Sequence, residues 1–468
     1  MLVNITDLTI EELHQQIKSK QLSPVELTQA LLQQIKNTDS RLNAFITVYE
    51  EEALAAAKVA ESEIVAGNIK SKFHGIPIAL KDNIFHQNHL TTMGSEIHRN
   101  FIPTYNATVV DKLVNAGAIL LGKLNLHEYA LSITSSSIHF GPVKNPWNLD
   151  KIPGGSSGGS AAAIAVGSTP VSVGTDTAGS IRIPAAACGI VGLKPTRGLV
   201  SAYGVYPLSW TQDHVGPMAK NVKDTAALLE IIAGHDEKDA VSIDAETTDY
   251  TSHLDGDVSS LTIGVEEDYF FKDIDSPIEK ATRNVIQSLV EKGAKVKEVK
   301  IPALKDMDWA GFTFSVSEAS VVHYDSIIER PEDIGEDIRG FLQMGASPAS
   351  ELYANALKVR EQLIKEFTEV FNEVDVIISP TLPVFPNNIG EVQTLLNGEK
   401  VDLLPNFIRL TGPANITGLP ALSVPSGVHE GLPMGIQIIG NALDEKTVLN
   451  VGYAIEQLNL MEGRKPKI

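Results

Sequence analysis

From His74 onward, short apolar runs alternate with helical stretches, and this alternation constrains the fold more than any other feature of the chain. Ile76 to Leu80, Ala118 to Leu121 and Val171 to Gly174 are near-continuous apolar runs of strand length, while Ala107 to Asn115 and Ser160 to Val166 read as helices between them. Strands without polar alternation are buried on both faces, so the expected fold class is α/β, with a mixed β-sheet core covered by helices on both faces. The pattern resumes with Leu261 to Val265, a helix opening at Ser276-Pro277-Ile278-Glu279, and strands at Val299 to Ile301 and Val374 to Ser379. A length of 468 residues allows two or three average domains. The likeness of the pattern on either side of each break favours one continuous core over residues 1–468.

Within that core, residues 1–65 read as a helical arm. Thr9 with Glu12 and Ser23 with Glu26 each set a hydroxyl and a carboxylate three apart, the spacing of a capping box, and Pro24 suits a first helical turn. Leu27, Ala30, Leu31 and Ile35 recur at helical spacing, so the arm packs one face. Residues 66–220 carry the motifs, residues 235–260 predict an exposed acidic loop rich in Thr and Ser, and residues 261–468 complete the core and its pocket.

Charge narrows the partners. With 58 acidic and 38 basic residues the net charge is −20, which repels phosphate backbones and anionic lipid and disfavours direct nucleic-acid or membrane binding. The first residues lack a basic start followed by an apolar stretch, and no apolar run reaches the roughly eighteen residues of a membrane span. A cytoplasmic protein is expected. The lone Cys188 sits among Ala185, Ala186 and Ala187 and reads as a buried structural thiol. His86, His89 and His98 fall close together without a fourth ligand at zinc-like spacing, so no metal is expected.

Three segments carry chemistry. The run from His74 to Asn83 delivers Lys81 at the carboxyl end of a strand, where ligand sites of open α/β sheets lie. Burial there disfavours the ammonium and leaves an amine able to take a proton. The second segment, Pro153 to Ser160, is rich in Gly and Ser and runs directly into a small-residue helix, unlike a flexible linker. An anion-cradling loop is one reading, although the Gly-Lys-Ser/Thr ending of a nucleotide loop is missing. Gly155-Ser156-Ser157-Gly158-Gly159 also matches the Gly-x-Ser-x-Gly elbow with Ser157 as nucleophile, but that elbow needs a strand before it and Asn145 to Pro153 contains none. In the third segment, Gly174 to Gly189, a strand runs into a small-residue turn that presents Ser180, with successive backbone N–H groups suited to an oxyanion.

Together these segments resemble the amidase signature family, whose motif joins a Gly-Gly-Ser-Ser-Gly-Gly-Ser stretch to a Gly-Ser-Ile-Arg-x-Pro-Ala stretch. Lys81 and Ser156 are 75 residues apart and Ser156 and Ser180 are 24 apart, matching that family's spacing. Asn145 to Asn148, Gly192 to Pro195, Asp213 to Pro217 and Gly431 to Gln437 extend the resemblance over most of the chain. It implies a Ser-Ser-Lys triad: Lys81 as base, Ser156 as the bridging hydroxyl and Ser180 as the nucleophile that forms an acyl-enzyme. It also implies an oxyanion site at the N–H groups of Thr177, Ala178, Gly179 and Ser180, with Ala178 standing where many members have Gly. The Gly155–Ser156 peptide bond is expected to be cis, a form that costs about 3–4 kcal/mol. No cofactor or metal is implied.

The function so implied is an amidase acting on a small-molecule carboxamide, with a homodimer left open. Within the family the rival is the glutaminase-type A subunit of a tRNA-dependent amidotransferase, which works with partner subunits. Such subunits carry an adjacent Arg pair before Met-Leu-Gly for the glutamine carboxylate. Here Ile338 to Gly345 holds a single Arg339 out of register. A non-catalytic anion-binding protein using the Gly-rich loop is the reading from a different class. Phe312 to Gly345 and Leu382 to Leu410 are expected to shape the pocket.

Overall fold

Every residue of Pro77–Lys81, Ile119–Leu124 and Val171–Asp176 is buried. Successive strand side chains point to opposite faces, so such strands need cover on both sides. In the computed structural model, which describes residues 5–245, 248–346 and 350–468, they lie in an eleven-stranded sheet flanked by helices. In chain order its strands are β1 (Phe45–Val48), β2 (Pro77–Lys81), β3 (Ile119–Leu124), β4 (Val171–Asp176), β5 (Val191–Lys194), β6 (His214–Ala219), β7 (Thr262–Val265), β8 (Lys295–Glu298), β9 (Val376–Pro380), β10 (Ala421–His429) and β11 (Leu432–Gly440). Across the sheet they run β1-β3-β2-β4-β6-β5-β10-β11-β9-β7-β8. Pairing is parallel from β3 through β2 to β4 and from β9 through β7 to β8, and antiparallel elsewhere, which is the mixed α/β sheet expected from the sequence.

The parallel register of β2 and β4 positions the site. Leu80 pairs with Val173, so the carboxyl ends of both strands open side by side, one delivering Lys81 and the other the turn after Asp176.

Helices Ile10–Lys18 and Pro24–Leu42 open on the two capping boxes read from the sequence. They bury Ile10, Leu13, Ile17, Leu27 and Leu31 in the core. The arm is not helical throughout, because Phe45–Val48 joins the sheet edge as β1. Gly122 of β3 admits it: its φ is 152°, and a Cβ there would run into the Thr47 carbonyl. Met1 to Asn4 lie outside the described residues.

The strand expected at Val299 to Ile301 lies just before it, at Lys295–Glu298, with all four side chains exposed. At a sheet edge a strand needs no apolar pattern, and the apolar Val299 and Ile301 bury in the connection that follows. The acidic segment from residue 235 to 260 is not wholly a surface loop. Tyr250 and Val258 are buried, and Lys238 to Val241 wall a cavity. Glu246 and Thr247 lie outside the described residues. No described helix is long and apolar enough to cross a membrane.

Gly122→Ala should lower stability by about 1–3 kcal/mol, read as a fall in urea midpoint, because the new methyl meets backbone. Gly340→Ala meets open space on a helix and should be neutral or stabilising by up to about 1 kcal/mol. Equal midpoints for the two variants would refute the role given to Gly122.

Candidate active site

Lys81 is fully buried at the end of β2. Its Nζ lies 2.7 Å from Ser156 Oγ and 2.7 Å from Thr175 Oγ1. Burial pulls its pKa down to about 7, although Asp176 and Asp213 favour the charged form. Near neutral pH a large share of the amine is therefore unprotonated. Ser156 follows Gly155 across a cis peptide bond, as the family resemblance implies. Gly155 has no room for a side chain, since a Cβ would meet Ser135 N at 2.9 Å.

Ser157, the nucleophile of the rival elbow, instead donates its hydroxyl to the Thr175 carbonyl at 3.1 Å, and no strand leads into it. The amides where this loop enters the helix are also engaged: Ser157 N–H donates to Ser180 O, Gly158 N–H to Ser135 Oγ and Gly159 N–H to Asn125 O. Amides already satisfied by the protein do not make the helix start an anion cradle.

The turn after β4 is organised by a buried ion pair. Asp176 Oδ1 accepts from Gly179 N–H at 2.8 Å and from Arg182 Nη2 at 2.9 Å, and Oδ2 accepts from Ile181 N–H at 3.1 Å and from Arg182 Nε at 3.0 Å. Burial alone would raise the Asp176 pKa; the Arg182 charge and the hydrogen bonds from Arg182 and Asn415 overcome it and hold the carboxyl far below its usual range. Arg182 also donates to Thr411 O at 2.9 Å, Asn415 Oδ1 at 2.6 Å and Gln437 Oε1. Asn415 Nδ2 returns to Asp176 O at 3.0 Å.

Gly179 sits in this turn at φ 129°, where a Cβ would collide with Thr411 Oγ1. Ser180 beside it is 6% exposed. The N–H groups of Thr177, Ala178 and Ser180 have no protein acceptor among the described residues. Gly179 N–H does, which corrects the expectation that all four amides face one oxyanion. The Thr177 hydroxyl donates to Asp213 at 2.6 Å. Desolvation lifts the Asp213 carboxyl to about 6, against the donors Thr177, Leu208 and Ser209.

Ser180, Thr177 and Ala178 line a narrow cavity of about 80 Å³ whose other walls include Met307, Phe312, Phe341, Leu404 and Ile408. Both segments expected to shape the pocket contribute. The rings of Phe312 and Phe341 meet edge to face at 6.0 Å. Among the residues lining this cavity Arg409 is the one cation, and its guanidinium is held by the carbonyls of Tyr269, Lys272 and Asp273. Arg339 is not among the lining residues; it donates to Pro331 O. Elsewhere, Cys188 is fully buried and its thiol pKa is pushed up by desolvation. His86 and His89 stack with ring centroids 3.6 Å apart, and His98 lies 2.9 Å from the Tyr129 hydroxyl.

Sequence reasoning placed Lys81, Ser156 and Ser180 but assigned nothing to Asp176, Arg182 or Thr175. An acid and a base six apart in an otherwise apolar stretch were the available signal. Thr411 and Asn415, 229 and 233 residues beyond Arg182, left none, and Gln437, 255 beyond it, ended the Gly431 to Gln437 motif without an assigned role.

A family model described as Amidase matches residues 26–449. The chain belongs to this amidase family. It is 38% identical over 490 residues to the A subunit of glutamyl-tRNA(Gln) amidotransferase from Thermoanaerobacter pseudethanolicus, covering 100% of this chain and 99% of that one. Among solved structures it resembles a chain of a vestigial protein complex tied to the origins of an s-triazine catabolic enzyme, with a TM-score of 0.94, 30% identity and coverage of 98% and 100%. It also resembles a bacterial aryl acylamidase of the amidase signature enzymes, with a TM-score of 0.89, 28% identity and coverage of 96% of both chains.

In this amidase-family fold Arg182→Met should cost about 3–5 kcal/mol, because it strands the Asp176 carboxylate in the interior. The double variant Asp176→Asn with Arg182→Met should recover part of that loss in urea unfolding. If the double variant is as unstable as the sum of the singles, the two side chains are not coupled.

Proposed function

We propose that this protein is an amidase that hydrolyses a carboxamide to a carboxylic acid and ammonia or an amine through an acyl-enzyme on Ser180. The observation that carries the reading is a buried amine poised near pKa 7 at 2.7 Å from Ser156, beside a turn that offers Ser180 and unengaged amides to one cavity. The two serine segments touch through Ser157 N–H and Ser180 O at 3.2 Å.

In the proposed cycle neutral Lys81 donates to Thr175 and accepts the Ser156 proton, while Ser156 takes the proton of Ser180 as its Oγ attacks the carbonyl carbon. The carbonyl electron pair moves onto oxygen, where the N–H groups of Thr177, Ala178 and Ser180 stabilise it. When the pair returns, the carbon–nitrogen bond breaks and the departing nitrogen takes the proton from Ser156, which Lys81 reprotonates. Water then adds to the acyl carbon, its proton follows the same relay, and the carbon–oxygen bond to Ser180 breaks with return of a proton to Oγ. The acid leaves.

The amidotransferase relatives favour a second reading, in which the chain is the glutaminase subunit of a tRNA-dependent amidotransferase and works in a complex; full-length identity of 38% supports it more than the first. The apolar side of the cavity supports the first. Glutamine carries an α-carboxylate and an α-ammonium, and burying either charge without a partner is costly. Phe312, Phe341, Met307 and Ile408 offer none; the charged side chains of this wall are Asp308, whose Oδ1 accepts from the Tyr269 hydroxyl, and Arg409, three of whose five N–H donors go to carbonyls. An apolar acyl group fits this wall.

Ammonia release from benzamide should exceed that from glutamine, and Ser180→Ala should lower it by about 10⁴-fold or more in a folded protein. Release from glutamine alone, and only with a co-purified second subunit, would replace the first reading by the second. Covalent labelling of Ser180 by a fluorophosphonate checks either.

Because protonated Lys81 cannot accept a proton, kcat/KM should fall about tenfold per pH unit below about pH 7 and level off above it. A profile flat down to pH 5 would remove Lys81 from the role of base. Lys81→Met should abolish this limb together with the activity.

A further inference from the structure

Two parts of the wall of the cavity beside Ser180 are joined by side chains that the proposed cycle does not use. One part is the segment from Ala130 to Ile133; another is Phe341, in the helix Glu336–Gly345. Just before that segment stands His127, 2% exposed, whose Nε2 lies 2.8 Å from Asp337 Oδ2. Ser136 N–H donates to His127 Nδ1 at 3.3 Å, so that nitrogen carries a lone pair and the ring proton is on Nε2, which donates to Asp337. The Thr134 hydroxyl, 3.2 Å from Nδ1, is a second donor to it. The next residue, the buried Glu128, accepts from Gly335 N–H at 2.8 Å, at the position before the first residue of the helix. A carboxyl group there does for the helix start what a capping-box glutamate does, although it comes from 207 residues away.

The helix is thus held at both ends, by different means. Its start hangs on His127 and Glu128. Near its end Ser320 Oγ donates to Leu342 O at 2.6 Å, and Gly345 lies so close to the Val316 carbonyl that a Cβ has no room. Phe341 sits between the two anchorages, four residues beyond Asp337 and on the same helix face. The anchoring segment is itself fixed to the site: His127 N–H meets Ser156 O at 3.4 Å, and Ser135 Oγ donates to the same carbonyl at 3.1 Å. The place of Phe341 is therefore set relative to the loop that carries Ser156.

We propose that His127 and Asp337 are positioning residues for amide hydrolysis: their hydrogen bond clasps the helix start and holds Phe341 in the cavity wall, which keeps the pocket narrow and limits the acyl group to flat, compact ones. The inference rests on the amidase reading, because the wall is selective only if an acyl group enters the cavity. With the clasp broken, the first turn of the helix loses its side-chain tether while the far end stays seated. Phe341 then gains room, and bulkier acyl groups reach Ser180. Glu128 is untouched by such a change, so the helix keeps its capped start.

The test compares kcat/KM for 2-naphthamide with that for benzamide, a ratio that neither the amount of folded enzyme nor the shared proton relay changes. Asp337→Ala removes the acceptor at a side chain that is 41% exposed, and should raise the ratio about tenfold, the low end of what a methylene's width of space discriminates. Asp337→Asn keeps an oxygen for the Nε2 proton and should hold the wild-type ratio. Phe341→Ala should raise the ratio by itself, and adding Asp337→Ala to it should add nothing, since the clasp acts through that ring. A ratio unmoved by Asp337→Ala while both amides are cleaved overturns the clasp. So does a full second increment in the double variant, or an Asp337→Asn ratio equal to that of Asp337→Ala. Absence of Ser180-dependent cleavage of either amide overturns the amidase reading itself, and the clasp with it.

Discussion

The buried pair of Asp176 and Arg182 is the interaction on which the rest of the site depends. Two charges taken out of water are tolerated only when geometry and further hydrogen bonds replace the lost hydration, and here both conditions hold. The carboxylate binds the guanidinium through two nitrogens while it also holds the N–H groups of Gly179 and Ile181. The turn that presents Ser180 is thus drawn tight around a charge and not left to its small residues. The remaining guanidinium donors go to Thr411, Asn415 and Gln437, so the C-terminal part of the chain completes the turn. That is a physical reason for one continuous core: the motif-rich segment lacks the partners that make its own ion pair tolerable.

Three lysines are fully buried in or beside this sheet, and their partners separate their roles. Lys123 lies 3.1 Å from the Asp82 carboxylate and donates to Ile84 O and Thr91 Oγ1, so an anion stands beside it. Lys194 donates to the Pro195 carbonyl at 3.1 Å. Lys81 alone of the three has hydroxyls at both its hydrogen-bonding contacts, and a hydroxyl can donate back to a neutral amine as readily as it accepts from an ammonium. Desolvation removes the bias towards the charged form, and the choice of hydroxyl neighbours leaves the proton free to move.

Much of this was legible in the sequence because burial on both faces writes itself as unbroken apolar runs, and β2, β3 and β4 fall where those runs lie. What was not legible follows from the same rule. Lys295–Glu298 is an edge strand and carries no apolar run, and Phe45–Val48 is a short edge strand between two strongly periodic helices. At the site, Lys81, Ser156 and Ser180 were read through a spaced motif, which works for residues whose type and separation are fixed together. The engagement of Gly179 N–H by Asp176 depends on how a turn closes, which residue type and spacing do not record.

The likeness to an amidotransferase component and the largely apolar cavity beside Ser180 are compatible once their physical bases are separated. Identity of 38% over the whole length is a property of the chain as a whole and does not single out the side chains of the cavity. The cavity beside Ser180 is lined by a much smaller set of side chains, among them ones from the helices Met307–Val322 and Glu336–Gly345 and from the segment from Leu404 to Gly412. Function resides in such sites more than in the fold that carries them. Gly412 and Ile408 flank Thr411, whose carbonyl binds Arg182 and whose hydroxyl donates to Ala178 O at 2.6 Å. The cavity wall is therefore braced against the turn that presents Ser180, and under the proposed amidase reading a change of wall side chain alters the substrate without loosening that turn, provided Thr411 keeps its place.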